Sequence, residues 1–499
     1  GFMHIGGFFQ CVIDRNIAKR SGGVFYLRIE DTDKKRELIG ASTIILETLK
    51  RYGYLPDEYE EKGVKVVGNY GPYFQSEREE IYKAYAKKLV AEGKAFPCFC
   101  RKTEGLNDVK EKREKMFSLG ITEDKDVCRN LTIEQIEEYL KDGKTFAIKL
   151  KSKGNGQNKI KVHDVLKGEL EIQENGEDAV LLKSDFMPTY AFAHAVDDFL
   201  MGTTTVVRGE EWIPSYPLHI EIHEALGFPL PKYIHTPLIN KIRENGGKTK
   251  ISKRIDAEAD MRFFAREGYE PEALIEYLTN LANSKFEGWR KENPDKNIDE
   301  FPFDGFNITA NRPVFDILKL NDISKDIISK YTAETCYQKL LAWAEEFSEE
   351  NVDYLKKDKE YVVKVLNIDR EKPKPRKDVY KWSMVFDTFD YMFSAPKKYQ
   401  IDESERRKFE EVLRAYKKYL DLSDKTVWFD KIKEMAGALG YATDNKLYKQ
   451  NPNAYKGNVA KVCEFIRVAI TGHKDSPDLY EIMTILGEDK VRERISLIV

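Results

Sequence analysis

At 499 residues the chain has room for about three to five domains of roughly 100–200 residues each. Its 82 basic and 85 acidic side chains leave a net charge of −3, which excludes a uniformly cationic nucleic-acid coat, so any RNA contact must come from local basic patches. Six cysteines over this length exclude a disulfide scaffold and fit a reducing cytosol, and no apolar run reaches the ~18 residues that a membrane-spanning helix needs.

The opening GFMHIGGFFQCVIDRNIAKR has no short apolar core followed by a small-residue cleavage site, so it does not read as a signal peptide. It lacks an initiator Met and begins inside a motif, so the natural N-terminus is expected upstream. Phe8 to Arg20 predicts a helix that opens after Gly6-Gly7, and VFYLRIE (Val24 to Glu30) predicts a buried strand. Ser76 to Gly93 predicts an amphipathic helix capped by the serine and closed by the glycine. Strands alternating with helices indicate an α/β domain.

The texture changes between about 94 and 188, where three cysteines, the charged helix EQIEEYLKDG and the strand candidates TFAIKLK, NKIKVHD, GELEIQE and DAVLLK suggest an α+β insertion. The first pattern resumes with TYAFAHAVDDFL as a helix, TTTVVRG as a strand and YPLHIEIHEALG as a helix. Beyond about 256 the periodicity is helical, in PEALIEYLTNLANS, ETCYQKLLAWAEEF, SERRKFEEVLRAYKKYL, FDKIKEMAGALG and KVCEFIRVAI. The basic, proline-broken EKPKPRKD (371–378) predicts a loop between helical blocks.

Two short motifs carry chemistry. His4-Ile5-Gly6-Gly7 stands directly before the first helix. Its glycines admit close approach of a ligand to backbone, and the helix N-terminus offers N–H groups and a positive dipole end to a phosphate. Lys250-Ile251-Ser252-Lys253-Arg254 follows Gly246-Gly247, so it is expected on a mobile loop. Two compact ammonium groups flanking Ser252 suit charge building on a transferring phosphate. Taken singly, the first reads as a histidine in a glycine turn and the second as a solvated basic loop. In this order they form the two halves of a nucleotidyl-transfer site.

The pair resembles the HIGH and KMSKS signatures of class I aminoacyl-tRNA synthetases. FYLRIEDTD, QSEREEIY, AFPCFC, LLKSDFMPTYAFAHAVDDFLMG, VVRGEEW, RVAITG and SPDLYEIMTILG resemble the bacterial glutamyl-tRNA synthetases, in order and along nearly the whole chain. The resemblance implies a Rossmann-type α/β catalytic domain (1–80 and 189–256) with an α+β acceptor-binding insertion (81–188). A stem-contact helical domain (257–325) and all-α anticodon-binding domains (326–499) then follow. It implies ATP with Mg²⁺, L-glutamate and tRNA(Glu) as substrates and partners, no membrane, and a cytoplasmic monomer. His4, Lys250 and Lys253 would stabilise the phosphate, with Gly6, Gly7 and Ser252 completing the ATP site.

For the amino acid, a substrate with two carboxylates and one ammonium needs cations and an anion. Glu30 suits the ammonium, unless it pairs with Arg28 or Lys34. Arg208 suits a carboxylate through its fork, unless it pairs with Glu210 or Glu211. Tyr190 and His194, four apart on one helix face, can each offer a hydrogen bond, although His194 also reads as a satisfied core histidine. Many relatives carry Asn at that position and glutaminyl relatives often carry His, which keeps a glutaminyl-type synthetase as the alternative; Arg208 favours glutamate. A further family Arg lies just upstream of the position where this sequence starts, so this stretch alone is expected to activate glutamate poorly or not at all. A base-modifying short relative, a small-molecule adenylyltransferase and a non-catalytic tRNA-binding protein fit less well, the first two because of the helical tail and the last because His4, Lys250 and Lys253 are intact.

Cys98, Cys100 and Cys128 offer three thiolates. The position where relatives carry a fourth zinc ligand is Asn130, so packed thiols are favoured over zinc. Trp382 and Tyr455 are candidates for base stacking, each with core packing as the plainer role. NITANRP (Asn307 to Pro313) departs from the segment usual in relatives.

Overall fold

Helix α1 (Ile5–Ser21) follows from a stripe of Ile5, Phe8, Phe9, Val12 and Ile13, all buried on one face. His4 caps its start, and Gly22 ends it in the left-handed conformation at φ 65°. Phe8 packs against Tyr52 and Tyr54 with ring centroids 5.1 and 5.3 Å away. The computed structural model describes residues 2–32, 40–100, 127–303 and 312–499. Asp33, Lys34 and residues 307–311 of the NITANRP segment lie outside the described residues.

The chain divides into two compact units, Gly1–Phe263 with Ile275–Asp316, and Phe264–Leu274 with Ile317–Val499. In the first unit the VFYLRIE segment is extended but differs from the expected buried strand. It pairs in parallel at two isolated points, Tyr26 with Glu58 and Ile29 with Phe74, and is only half-buried. The reason lies in its pairing: the Leu27 and Ile29 N–H groups, on alternate residues, serve both partners, so both occupy one edge. None of the described residues pairs with its other edge.

The Ser76 prediction also needs correction. A 3₁₀ turn takes Gln75–Glu77, and helix α2 spans Glu79–Ala91. Ser76 does not cap it, because its Oγ and N–H are both bound to Asp31, at 2.6 and 2.8 Å. The glycine end is as expected, with Gly93 at φ 68°.

The insertion holds helix α3 (Ile133–Lys141) and strands β1 (Ala95–Cys98), β2 (Ala147–Leu150), β3 (Lys159–Asp164), β4 (Gly168–Gln173) and β5 (Val180–Leu182). β1, β2 and β5 form an antiparallel sheet, and β3 with β4 a separate hairpin. After helix α4 (Tyr190–Leu200) comes a βαβ unit: β6 (Thr205–Gly209), α5 (Tyr216–Leu226) and β7 (Lys232–Thr236), with the two strands parallel. A parallel pair needs such a crossover, and ligands gather at the carboxyl ends of its strands. The β3–β4 hairpin is fastened to this unit where Val165 N–H donates to the Tyr233 carbonyl at 2.9 Å.

The basic motif departs from the loop expected of it. Gly246, at φ 77°, makes the turn of a hairpin between β8 (Asn240–Ile242) and β9 (Lys248–Lys250), so the motif's first lysine ends a strand. The second unit is helical, and its helices Ala333–Phe347, Arg406–Tyr419, Lys425–Ala438 and Val459–Thr471 enclose one apolar core. Trp382 belongs to that core: it is 3% exposed and its indole N–H donates to Glu270 at 2.8 Å, which removes it as a stacking platform. Tyr455 is half-buried, and residues 371–378 form no helix or strand. Among the described residues no helix is long and apolar enough to cross a membrane.

Candidate active site

The two motifs meet. His4 makes an antiparallel bridge with Asp260, and Met261 N–H donates to the Met3 carbonyl, so the segment after the basic motif runs beside the first. Lys253 donates to the Phe2 carbonyl. The His4 ring accepts the Gly6 N–H at Nδ1, 2.9 Å away. That bond places the ring proton on Nε2, as a donor on the side of the Ile251 backbone. Burial lowers the His4 pKa, and the charges of Lys253 and Lys250 lower it further. The ring is therefore neutral at neutral pH and still a donor. A Cβ at Gly6 would come within 3.1 Å of His4 Nδ1, while one at Gly7 would meet nothing within 4 Å. Position 7 thus opens onto free space at a helix N-terminus.

The basic motif is stapled by Asp256. This carboxylate accepts the Ser252 N–H at 2.9 Å and a two-pronged contact from Arg243 at 2.6 and 3.0 Å. The Arg243 bond holds Asp256 at about 2, against the opposing effect of burial. Ile251 is buried, and Lys250 reaches Glu211 at 3.0 Å. Asp256 and Asp260 were not singled out from the sequence; as one acid on each side of a short turn they carry no distinctive spacing.

Glu30, Tyr190, His194 and Arg208 also lie together. Burial raises the Tyr190 hydroxyl pKa, Glu30 raises it further, and Arg208 and Arg28 lower it, so the phenol stands within reach of all three charges. Tyr190 stacks on Trp212 with centroids 4.6 Å apart and lies 5.4 Å from the His194 ring. Glu30 takes a 3.3 Å contact from Arg28, the salt bridge that its sequence context allowed, and remains exposed. Arg208 is not paired with its neighbours. Glu210 goes to Lys167 at 2.8 Å and Arg312 at 2.7 Å, and Glu211 goes to Lys250. Arg208 is 5% exposed, with its guanidinium 4.7 Å from the Tyr233 ring centre.

Behind these residues is a polar layer that the sequence reading did not find. Arg208 Nε donates to His235 Nε2 at 3.0 Å, and Nη1 lies 3.2 Å from His219 Nε2. His194 Nδ1 sits 2.8 Å from Asp198, which also takes Arg28 at 2.9 Å. The adjacent Asp197 gathers Gln75, Arg78 and Tyr82 at 2.7 to 2.9 Å. The available signals were two adjacent aspartates in an otherwise apolar helix and His219 and His223 four apart on the next.

The thiols of Cys98, Cys100 and Cys128 lie within 4.8 Å of one another, beside Phe96, Phe99 and Leu131, and none is in a disulfide. Among the described residues no fourth His, Cys, Asp or Glu completes the group. The three thiols make up three of the four ligands that a structural zinc site takes.

The family of class I tRNA synthetases (E and Q), catalytic domain, matches residues 1–293, and an anticodon binding domain matches 335–499. The glutamate–tRNA ligase of Acetivibrio thermocellus is 44% identical over 99% of this chain and 91% of its own, and that of Clostridium perfringens strain 13 is 42% identical over 99% and 92%. The crystal structure of a glutamate tRNA ligase from Elizabethkingia meningosepticum, in complex with its amino acid, superposes with a TM-score of 0.76 at 25% identity, covering 100% of this chain and 97% of that one. With a catalytic-domain match over more than half its length, and relatives above 40% identity along nearly all of it, the chain belongs to the class I tRNA synthetases of the E and Q group.

Proposed function

We propose that this protein joins L-glutamate to tRNA(Glu) in two steps, through a glutamyl-adenylate. The observation that carries the choice of amino acid is Arg208, a cation buried among neutral rings and not neutralised by Glu210 or Glu211. A buried guanidinium calls for an anion, and the side-chain carboxylate of glutamate supplies one, whereas the amide of glutamine does not.

In the first step the glutamate α-carboxylate oxygen attacks the α-phosphorus of ATP. The bond from that phosphorus to the bridging oxygen breaks, and pyrophosphate leaves. In the second step the terminal ribose hydroxyl of the tRNA attacks the acyl carbon, loses its proton and displaces AMP. Side chains form no covalent bond in either step, so the protein's work is positioning and charge stabilisation. His4 donates from Nε2 to a phosphate oxygen, Lys250 and Lys253 meet the charge on the leaving pyrophosphate, and Gly6 and Gly7 leave room for it. Glu30 receives the substrate ammonium, and Tyr190 and His194 border its side chain. Mg²⁺ would be carried by the triphosphate and would offset part of its charge, since this ion usually keeps waters and substrate oxygens as ligands. The helical C-terminal half reads the anticodon, residues 81–188 meet the acceptor end, residues 257–325 contact the stem, and the protein acts as a cytoplasmic monomer.

The test is ATP–pyrophosphate exchange by the full-length protein, with glutamate or glutamine and with or without tRNA. Exchange with glutamate, abolished in Arg208→Gln, is the expected result. Exchange with glutamine and none with glutamate would refute the reading.

A further inference from the structure

The layer behind Arg208 has a direction. Asp164, at the end of β3, is fully buried and bound at both oxygens. Oδ1 accepts the N–H groups of Leu166 and Lys167 at 3.0 and 2.8 Å, and Oδ2 accepts the His235 N–H at 3.0 Å and its ring Nδ1 at 2.8 Å. Three of these four donors are backbone, so the carboxylate cannot turn. His235, also fully buried, must then carry its proton on Nδ1 and present a lone pair at Nε2. That lone pair takes Arg208 Nε–H. His219, equally buried, takes Nη1 at its own Nε2. Both rings are neutral as acceptors, so neither repels the guanidinium. One nitrogen remains: Arg208 Nη2 is buried and meets no hydrogen-bond partner among the described residues. The Tyr233 ring flanks the guanidinium, and the Tyr190 hydroxyl lies within hydrogen-bonding reach of it as an acceptor.

We propose that Asp164 and His235, with His219, are positioning residues that pin Nε and Nη1 of Arg208, so that Nη2 alone is offered to the substrate side chain, and that this pinning sets the preference for a carboxylate over an amide. A guanidinium free to rotate can turn another edge to a substrate amide or take a water. One held at two of its three nitrogens offers only donors at a fixed place. A carboxylate oxygen satisfies them, whereas an amide nitrogen brings a second donor against them. Asp164 lies in the β3–β4 hairpin of the insertion, so the element outside the βαβ unit sets selectivity inside it. The inference rests on the reading of Arg208 as the side-chain recognition group.

The test uses the full-length protein in steady-state charging with tRNA(Glu). Removing the ring in His235→Ala is expected to raise the KM for glutamate about tenfold or more, to leave the KM for ATP unchanged, and to lower the glutamate-to-glutamine ratio of kcat/KM by about tenfold. His235→Gln, which keeps a donor for Asp164 and an acceptor for Arg208, is expected to restore both within about threefold. Asp164→Asn changes one atom and decides the matter if His235→Ala fails to fold. It forces a donor either toward His235 or against the N–H groups of Leu166 and Lys167, and is expected to reproduce the loss of preference. An unchanged glutamate KM and ratio, or KM values for glutamate and ATP that rise together without rescue by Gln, would overturn the proposal. If the wild-type protein charges with glutamate and Arg208→Gln loses the preference while His235→Ala keeps it, only this inference falls. If the wild-type protein does not charge with glutamate, the functional reading falls with it.

Discussion

At the scale of residues, the two short motifs bring two lysines and a neutral imidazole to one place. His4, Gly6, Lys250 and Lys253 stand in short motifs whose residue types carry their chemistry, and they converge in space. His235 and Asp164 do not: they lie 71 positions apart, and only folding makes them neighbours. Arg208 could be recognised as a carboxylate partner, but its freedom from Glu210 and Glu211 depends on Lys167, Arg312 and Lys250 reaching those acids first. Gly7 supports a prediction with two opposite signs. A methyl there meets no atom within 4 Å, and alanine suits a helix better than glycine, so Gly7→Ala should stabilise the fold by about 0.5–1 kcal/mol in thermal melts. The same methyl would occupy the approach to the helix N-terminus, so the KM for ATP should rise. An unchanged ATP dependence would mean that the phosphate does not sit there. Lys253→Ala should lower the exchange rate by about 100-fold while leaving the KM for glutamate in place, because its charge matters to the leaving pyrophosphate.

At the scale of elements, period and capping signals found helices such as Ile5–Ser21 and Tyr190–Leu200 and strands such as Thr205–Gly209, and Ser76 shows where such signals fail. Ser76 has the residue type of a helix cap, yet Asp31, 45 positions away, takes both its donors and the helix starts later. Local pattern cannot register such a partner. Ser76→Ala should therefore destabilise the protein by about 1 kcal/mol in urea denaturation through the lost bond to Asp31; no loss would mean the contact contributes nothing. Helix α5 buries two histidines whose protonation is disfavoured. His219 lies well below the ordinary 6.5, first through burial and then through His194, Arg208 and His223, and burial also lowers His223. Above pH 6.5 both folded and unfolded chains hold these rings neutral, and stability is insensitive to them. Below it the unfolded chain takes up protons that the folded one refuses, so stability falls as the pH drops from 6.5 toward the folded values. Melting temperatures between about pH 6.5 and 5 should show this slope, and His219→Gln should reduce it. An equal slope in the variant would show that the ring does not titrate as described.

At the scale of the whole molecule, the balance of 82 basic and 85 acidic residues gives no sign of an RNA partner, although a family whose substrate is RNA claims the chain. Composition averages over surfaces, and a tRNA contact needs only local cations. The complex should therefore weaken about tenfold or more between 50 and 200 mM salt despite the negative net charge, and filter binding would show it. The helical second half was legible as helices, but which of its faces meets RNA was not: Trp382, a stacking candidate by residue type, is spent on the core. The central claim is that a buried guanidinium makes this catalytic unit select glutamate. It is tested most directly by charging of tRNA(Glu) with labelled amino acid by the full-length protein. Acid-precipitable, base-labile label from glutamate, with glutamine at least about 100-fold less efficient and the difference removed in Arg208→Gln, is the predicted result. Charging with glutamine in preference to glutamate, or a preference for glutamate that survives the loss of Arg208, would contradict it.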